Sequence, residues 1–259
     1  MFAELKKKRC IDSDENRENL KLYGKYTDKL NAKQIVKSQQ IDGLHVAKLL
    51  GIYNYYDEID VDKLPDQFVI KTTHWSGCAK IILDKETFKK TKENNKKHFD
   101  SILNQTYRNG LEPHYKYIER RLFVEECLGI QDTEYKFHCI YGKVACILSG
   151  NVLKGKMAYF NKDFKQLRVS RYGDMFSIVP TCQPQHLQDM ISIAEKLSRG
   201  FDYVRIDLYI SGDKIYFGEY TFTPHACNRV MNDLSFETLL LEFLEKRDVD
   251  YDKVDKYLV

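Results

Sequence analysis

The chain has 259 residues, enough to bury a real core in one or two domains. Its 41 basic and 38 acidic residues leave a net charge of only +3, which argues against a dedicated nucleic-acid binder. No stretch reaches the roughly 20 apolar residues of a membrane span. The charged start MFAELKKKRC lacks the apolar core of a signal peptide, so secretion is not expected and the cytoplasm is the expected compartment. Cys10, Cys78, Cys127, Cys139, Cys146, Cys182 and Cys227 form no CxxC pair and no Cys/His metal spacing. They read as reduced, mostly buried cysteines of a cytosolic protein.

In chain order, DKLNAKQIVKSQQ (28–40) predicts a helix capped by Asp28, and HVAKLLG predicts a second short helix ending at Gly51. Turn-like sequence follows, and Pro65 forbids a regular continuation. FVIK (68–71) reads as a buried strand and AKIIL (79–83) as its partner, with the small-residue loop THWSGC between them. Residues 85–121 are polar and helical in rhythm, and LFVEECL (122–128) returns to strand. EYKFHCIYGKVACILSG predicts two strands about a turn at Gly142. PQHLQDMISIAEKLSR spaces Leu187, Met190, Ile191, Ala194 and Leu197 on one helical face, closed by Gly200. YVRIDLYI and KIYFGEYTF then form a hairpin, and SFETLLLEFLEK is a last amphipathic helix. Strands interleaved with helices, several joined as hairpins, indicate an α+β or mixed α/β enzyme fold.

The hairpin carries the chemistry. Alternation puts Tyr203, Arg205, Asp207 and Tyr209 on one face of its first strand. Glu219 shares that face only if the connection is odd. A loop of Ser211–Asp213 sets Arg205 opposite Glu219 with Asp207 one diagonal step away, and this is the expected register; a two-residue loop sends Asp207 and Glu219 to opposite faces. Two carboxylates so close repel unless a cation lies between them, and hard oxygen ligands at such spacing suit Mg²⁺. The same residues also read as a surface hairpin in which Arg205 pairs with Asp207 or Glu219.

The motif order DKLNAK, FVIK with its small-residue loop, VEECL, RIDLY and GEYTFTP resembles the ATP-grasp superfamily. Within it, the chain is similar to the TupA-like branch, named for teichuronopeptide biosynthesis and associated with bacterial surface polysaccharides. The resemblance runs from about Asp28 to about Pro224. It implies an α+β ATP-grasp fold of two subdomains holding ATP between antiparallel sheets, without a full N-terminal domain before it. Residues 1–60 would be an N-terminal helical segment, 61–126 the small subdomain and 127–259 the large subdomain with the metal site.

Carried onto this chain, the resemblance makes Lys29 the first nucleotide-binding lysine, with Lys33 beside it, and Lys71 the lysine that reaches the phosphates. Backbone N–H groups at Ser76 and Gly77 would approach the phosphates, with Trp75 capping the site or merely packing. Glu125 to Leu128 would be the hinge, with backbone groups of Glu126, Cys127 and Leu128 reading the adenine edge and the sides of Cys127 and Leu128 enclosing the ring. Glu134 would accept the ribose hydroxyls or else pair with Lys136 across strands, and Lys136 and His138 follow on that strand face. Asp207 and Glu219 would be the metal ligands, and Thr221 stands where many relatives have asparagine. Arg205 would stabilise the transferring phosphoryl group. Relatives often place glycine after TFTP; here it is His225, which with Arg229 becomes a candidate substrate contact.

The implied reaction is a carboxylate–amine ligation driven by Mg²⁺–ATP through an acyl phosphate. The expected substrates are a small-molecule or saccharide acceptor and an amine donor, with peripheral association to polysaccharide assembly enzymes allowed and nucleic acid excluded. Only some 27 residues precede Asp28, so the acceptor site is expected to be smaller, differently built, shared with a second subunit, or open to a polymer. The competing readings are a sugar-modifying kinase or glycosyltransferase and a non-catalytic nucleotide-binding scaffold.

Overall fold

The computed structural model describes residues 1–105, 111–129, 133–151, 154–171, 173–228 and 230–259. Helices α1 (Phe2–Arg9), α2 (Arg17–Thr27) and α3 (Lys29–Ser38) come first, followed by strands β1 (Leu44–His45), β2 (Leu49–Tyr53), β3 (Phe68–Thr72) and β4 (Lys80–Ile82). Helices α4 (Lys85–Lys90) and α5 (Lys92–Leu103) lead to β5 (Leu122–Glu126), β6 (Thr133–Ile140), β7 (Lys143–Asn151) and β8 (Lys156–Phe160). Then come α6 (Leu187–Leu197), the hairpin β9 (Tyr203–Ser211) and β10 (Lys214–Thr221), and helices α7 (Leu234–Lys246) and α8 (Tyr251–Asp255). The chain forms two compact units: Ile11–Ser38 with Val46–Gly129, and Met1–Cys10 with Gln39–His45 and Ile130–Val259. Residues 1–60, expected as one segment, are therefore shared between the two.

The smaller unit is built on an antiparallel sheet of order β2-β5-β3-β4. Alternation along FVIKT and LFVEE sorts the two faces. Phe68, Ile70, Leu122 and Val124 are fully buried and join Phe88 of α4 and Phe99 of α5 in one core. The opposite face receives Val69, Lys71, Phe123 and Glu125. Helix α3 begins where its cap predicts, because Asp28 Oδ1 accepts the N–H groups of Leu30 at 2.9 Å and Asn31 at 3.2 Å.

One sequence expectation fails here. Residues 45–51 are not helical: β2 starts at Leu49 and pairs with β5 in the register Gly51↔Val124 and Tyr53↔Leu122. Seven residues are too few to nucleate a stable helix alone, and β5 offers the backbone a hydrogen-bonding partner instead. Of the helical rhythm expected over 85–121, α4 and α5 realise the first part, residues 106–110 lie outside the described residues, and Pro113 opens a short 3₁₀ turn, Pro113–Tyr117.

The larger unit has a sheet of order β1-β10-β9-β6-β7-β8, antiparallel except for β1, which runs parallel to β10. The predicted turn at Gly142 is a two-residue hairpin with Tyr141 at φ 46° and Gly142 at φ 78°, the twist that antiparallel strands prefer. One face packs against α6 through Leu187, Met190, Ile193, Ala194 and Leu197. Ile193 replaces the expected Ile191, which is only half-buried. The other core gathers Phe2 and Leu5 of α1, Tyr159, Tyr203, and Phe236, Leu240 and Phe243 of α7. Cys139, Cys146 and Cys227 are buried and unbridged in this unit, whereas Cys182 is exposed.

Arg9 locks α1 to the hairpin ends. It is 1% exposed, donates to Phe222 O at 2.8 Å and Tyr203 O at 3.0 Å, and pairs with Asp202. Arg9→Ala strands those buried carbonyls and is expected to cost about 3 kcal/mol of unfolding free energy, read by denaturant titration. A loss below about 1 kcal/mol would remove this role.

Candidate active site

In the smaller unit, β3 and β5 present Lys71 and Glu125 on one face, and the first turns of α3 bring Lys33 to the same carboxylate. Lys33 Nζ lies 2.6 Å from Glu125 Oε2, and Lys71 Nζ lies 2.5 Å from Glu125 Oε1. The Glu125 side chain is 3% exposed and that of Lys33 9%. Burial alone would raise the Glu125 carboxyl, but the ammonium groups of Lys71 and Lys33 outweigh it and hold the group below its usual range. Burial pushes Lys33 down from its ordinary value, against the pull of Glu125. The Glu125 carboxylate thus bridges two of the three expected lysines.

Lys29 donates to Trp75 O at 2.8 Å, tying the start of α3 to the loop after β3. Ser76 and Gly77 in that loop are exposed, and Gly77 has a φ of 76°, a conformation glycine takes freely. Glu126 is tied to Lys48, the residue before β2. Its N–H donates to Lys48 O at 2.9 Å and its Oε1 accepts the Lys48 N–H at 2.7 Å. Cys127 and Leu128 follow, both half-buried.

In the larger unit, the hairpin register is not the expected one. Ser211 pairs with Lys214, leaving the two-residue turn Gly212-Asp213. That even loop would by itself separate Asp207 from Glu219, but a β-bulge between Phe217 and Glu219 restores the lost parity. Asp207 therefore lies directly opposite Glu219, and Arg205 opposite Thr221. Gly218 is the bulged residue, and a Cβ there would come within 2.9 Å of the Asp207 carbonyl oxygen. On the other side of β9, Lys136 pairs with Asp207 and His138 with Arg205.

These residues form one charged network. Arg205 grips Asp207 through both oxygens, at 2.6 Å and 2.8 Å, and its Nη2 also reaches Glu219 Oε1 at 3.4 Å and Thr221 Oγ1 at 3.0 Å. Thr221 Oγ1 donates to Glu219 Oε1 at 3.2 Å. Lys136 Nζ lies 2.9 Å from Asp207 Oδ2 and also pairs with Glu134 along the strand. Burial works to raise the Asp207 carboxyl, but Arg205 and Lys136 pull it down to about 2. Burial opposes the charge on Lys136 and Arg205, yet Asp207 raises both above their ordinary values. His138 is buried, accepts or donates with Tyr203 Oη at 2.9 Å, and is driven down to about 3 by burial and by Arg205, so it stays neutral.

The fold also allows a test of whether a hard cation fits. Oxygens from Asp207, Glu219 and Thr221 converge on one guanidinium nitrogen, which is an arrangement that takes positive charge. Among the described residues, no group of three or more His, Cys, Asp or Glu side chains is placed to hold a metal ion. Two carboxylates are what Mg²⁺ uses when phosphate and water complete its shell. The residues fit such an ion.

Beyond β10 the backbone enters an uncommon conformation. His225, Ala226 and Cys227 have φ of 52°, 52° and 54°, three consecutive left-handed residues without a glycine. Each costs roughly 1–2 kcal/mol relative to the right-handed form. Buried Ala226 and Cys227, and the bond from Ala226 N to Thr223 O at 2.9 Å, hold the turn. His225 itself is exposed. Arg229 lies outside the described residues.

No helix among the described residues is long and apolar enough to cross a membrane. Comparison with curated proteins gives no match. Among solved structures, the chain is similar to the ATP-grasp ligase PsnB complexed with a precursor variant, Mg and ADP, at 10% identity and a TM-score of 0.46, over 85% of this chain and 57% of that one. A D-alanine–D-alanine ligase from Bacillus anthracis complexed with ATP gives 14% identity and a TM-score of 0.45, over 76% and 54%. An L-amino acid ligase from Bacillus licheniformis gives 13% and 0.44, over 75% and 42%. The chain thus spans about half the length of these structures. The model of the TupA-like ATP-grasp family matches residues 7–245, and the chain belongs to that family.

Proposed function

We propose that this chain is a Mg²⁺–ATP-dependent ligase that joins a carboxylate to an amine or related nucleophile. Its substrate would be a sugar or amino acid in bacterial surface-polysaccharide biosynthesis. The observation that carries this reading is the convergence of Asp207, Glu219 and Thr221 oxygens on Arg205 Nη2, on a strand pair whose chain belongs to the TupA-like ATP-grasp family.

Asp207 and Glu219, with Thr221 beside them, would hold Mg²⁺, which when bound neutralises phosphate charge and polarises the phosphoryl group. Arg205 supplies a fixed positive charge to the phosphoryl being transferred, and Lys136 holds Asp207 ionised. In the smaller unit, Lys33 and Lys71, aligned by Glu125, present ammonium groups to phosphate. Ser76 and Gly77 present backbone N–H groups, and Lys29 fixes the loop that carries them. Cys127 and Leu128 offer apolar sides to the base, and Glu134 a carboxylate to the ribose.

The chemistry needs no side-chain nucleophile. A carboxylate oxygen of the acceptor attacks the γ-phosphorus, the bond to the leaving ADP oxygen breaks, and an acyl phosphate forms. The amine then attacks the acyl carbon, inorganic phosphate leaves, and the amine loses a proton. Incubation with Mg²⁺–ATP, galacturonate-containing acceptors and amino acids is expected to release ADP and phosphate in equal amounts. Product mass would show the acceptor and amine joined with loss of water. A phosphorylated acceptor without free phosphate would instead identify a kinase, and consumption of a nucleotide-sugar a glycosyltransferase. If millimolar Mg²⁺–ATP leaves thermal stability unchanged, the nucleotide assignment fails.

A further inference from the structure

The loop after β2, the outer face of α5 and the residues before β5 enclose an open cavity of about 580 Å³ in the smaller unit. None of the residues proposed above for nucleotide or metal lines it. Its size falls within the roughly 300–1,000 Å³ of small-ligand sites. Tyr56 anchors the loop: it is 2% exposed and stacks on Phe99 of α5, with ring centroids 5.8 Å apart and planes 14° from parallel. Its extended neighbour Tyr55 is turned the other way and is 67% exposed on the cavity wall. The backbone between them is fixed, because Asn54 N–H donates to Glu58 Oε2 at 2.7 Å and Glu58 N–H donates to Tyr55 O at 3.2 Å. On α5, Lys96, Asp100 and Asn104 follow one another at four-residue spacing and so form one side of the cavity. Arg120, two residues before β5, lines it as well.

Charge decides what such a cavity can take. The Lys96 ammonium pairs with Asp57 across the cavity and lies 3.5 Å from Asp100 Oδ2, so it already occupies the place a metal ion would need. Arg120 balances the second carboxylate, and the lining is neutral in sum. An anion would gain Arg120 but meet two carboxylates. A wholly apolar ligand would strip water from the side chains of Asn54, Asn104 and Arg120, which make no hydrogen bond or ion pair among the described residues. Side-chain amides both donate and accept, the guanidinium only donates, and the two carboxylates only accept. A ligand suited to all of them is neutral and carries many hydroxyls, each a donor and an acceptor. The ring of Tyr55 adds a rigid face on which C–H groups can pack. Sugars combine these two properties.

We infer that the smaller unit carries a saccharide-binding site, in which a neutral sugar unit stacks on Tyr55 and hydrogen-bonds to Asn54, Asn104 and Arg120. The site uses none of the residues assigned to ligation, and it stands or falls independently of the ligase reading.

Titration of the ¹⁵N-labelled full chain with maltose, cellobiose, lactose and N,N′-diacetylchitobiose at millimolar concentration tests it by amide chemical shifts. At least one of these neutral disaccharides is expected to shift the amides of Asn54, Tyr55 and Asn104 saturably. Tyr55→Ala and Arg120→Met are each expected to weaken that sugar by about tenfold or more. Both side chains are exposed, so each variant is expected to keep the wild-type Tm, and the shifts of the remaining amides report directly that it is folded. Glucose 6-phosphate is the charged control. Absence of saturable shifts at these amides with all four disaccharides, an affinity that survives either substitution, or tighter binding of glucose 6-phosphate than of every neutral sugar overturns the saccharide site.

Discussion

Replacing Asp207 by asparagine is expected to lower Mg²⁺-dependent ADP release by about 10²–10³-fold, the loss typical of removing one electrostatic contact made in the transition state. The substitution keeps the shape and removes the charge on which Arg205 and Lys136 both rest. Those two cations then face each other with only Glu219 and Glu134 as partners, and the fold is expected to lose about 3 kcal/mol. The pH dependence of that loss separates charge from shape. The folded pKa of Asp207 is held at about 2 against an ordinary 3.8, so its contribution is fully present above pH 3.8 and disappears as pH falls through 2. Unfolding curves of wild type and Asp207→Asn are therefore expected to differ at pH 7 and to converge towards pH 2. A stability gap that persists unchanged at pH 2, or ADP release within tenfold of wild type, would sink this account.

The placement of Asp207 marks how far sequence alone reaches. Alternation along YVRIDLYI puts Arg205 and Asp207 on one face, because side-chain parity in a strand is local. Parity across the hairpin is not local: it depends on the turn and on any bulge, and here two departures cancel. The expected odd turn is absent, and Gly218 supplies the odd residue further along β10. A glycine inside a strand pattern immediately before a candidate ligand is a readable sign of a bulge, and it was the signal that could have fixed the register. The lysine–glutamate cluster was less accessible. Lys71 and Glu125 lie on paired strands, but that α3 packs Lys33 against the same face is a tertiary fact with no periodicity to announce it. The helix expected over HVAKLLG fails for the same reason, since strand pairing with β5 overrides local preference. The cap at Asp28, the turn at Gly142 and the last amphipathic helix were legible because each depends on residues a few positions apart.

Glu125→Gln is expected to destabilise the chain by about 3–5 kcal/mol at pH 7, because it leaves two ammonium groups beside a neutral amide in a buried setting. The two lysines do not respond alike. Lys71 has a partly exposed side chain, at 26%, and can turn its charge towards water. Lys33 cannot, and burial already holds it below its ordinary value. Without Glu125 its pKa falls further, and the folded state favours the neutral amine more strongly than the unfolded state does. A lysine depressed in this way destabilises the fold most at low pH, and the penalty fades as pH rises through its folded value. The deficit of Glu125→Gln relative to wild type is therefore expected to be smaller at pH 9.5 than at pH 7 in denaturant titrations. Nucleotide supplies a second check. If these lysines bind phosphate, the triphosphate restores the missing counter-charge, and saturating Mg²⁺–ATP raises the Tm of the variant by more than that of wild type. An equal Tm rise in both proteins would make Lys33–Glu125–Lys71 a purely structural cluster, and a deficit independent of pH would mean that Lys33 keeps its proton without Glu125.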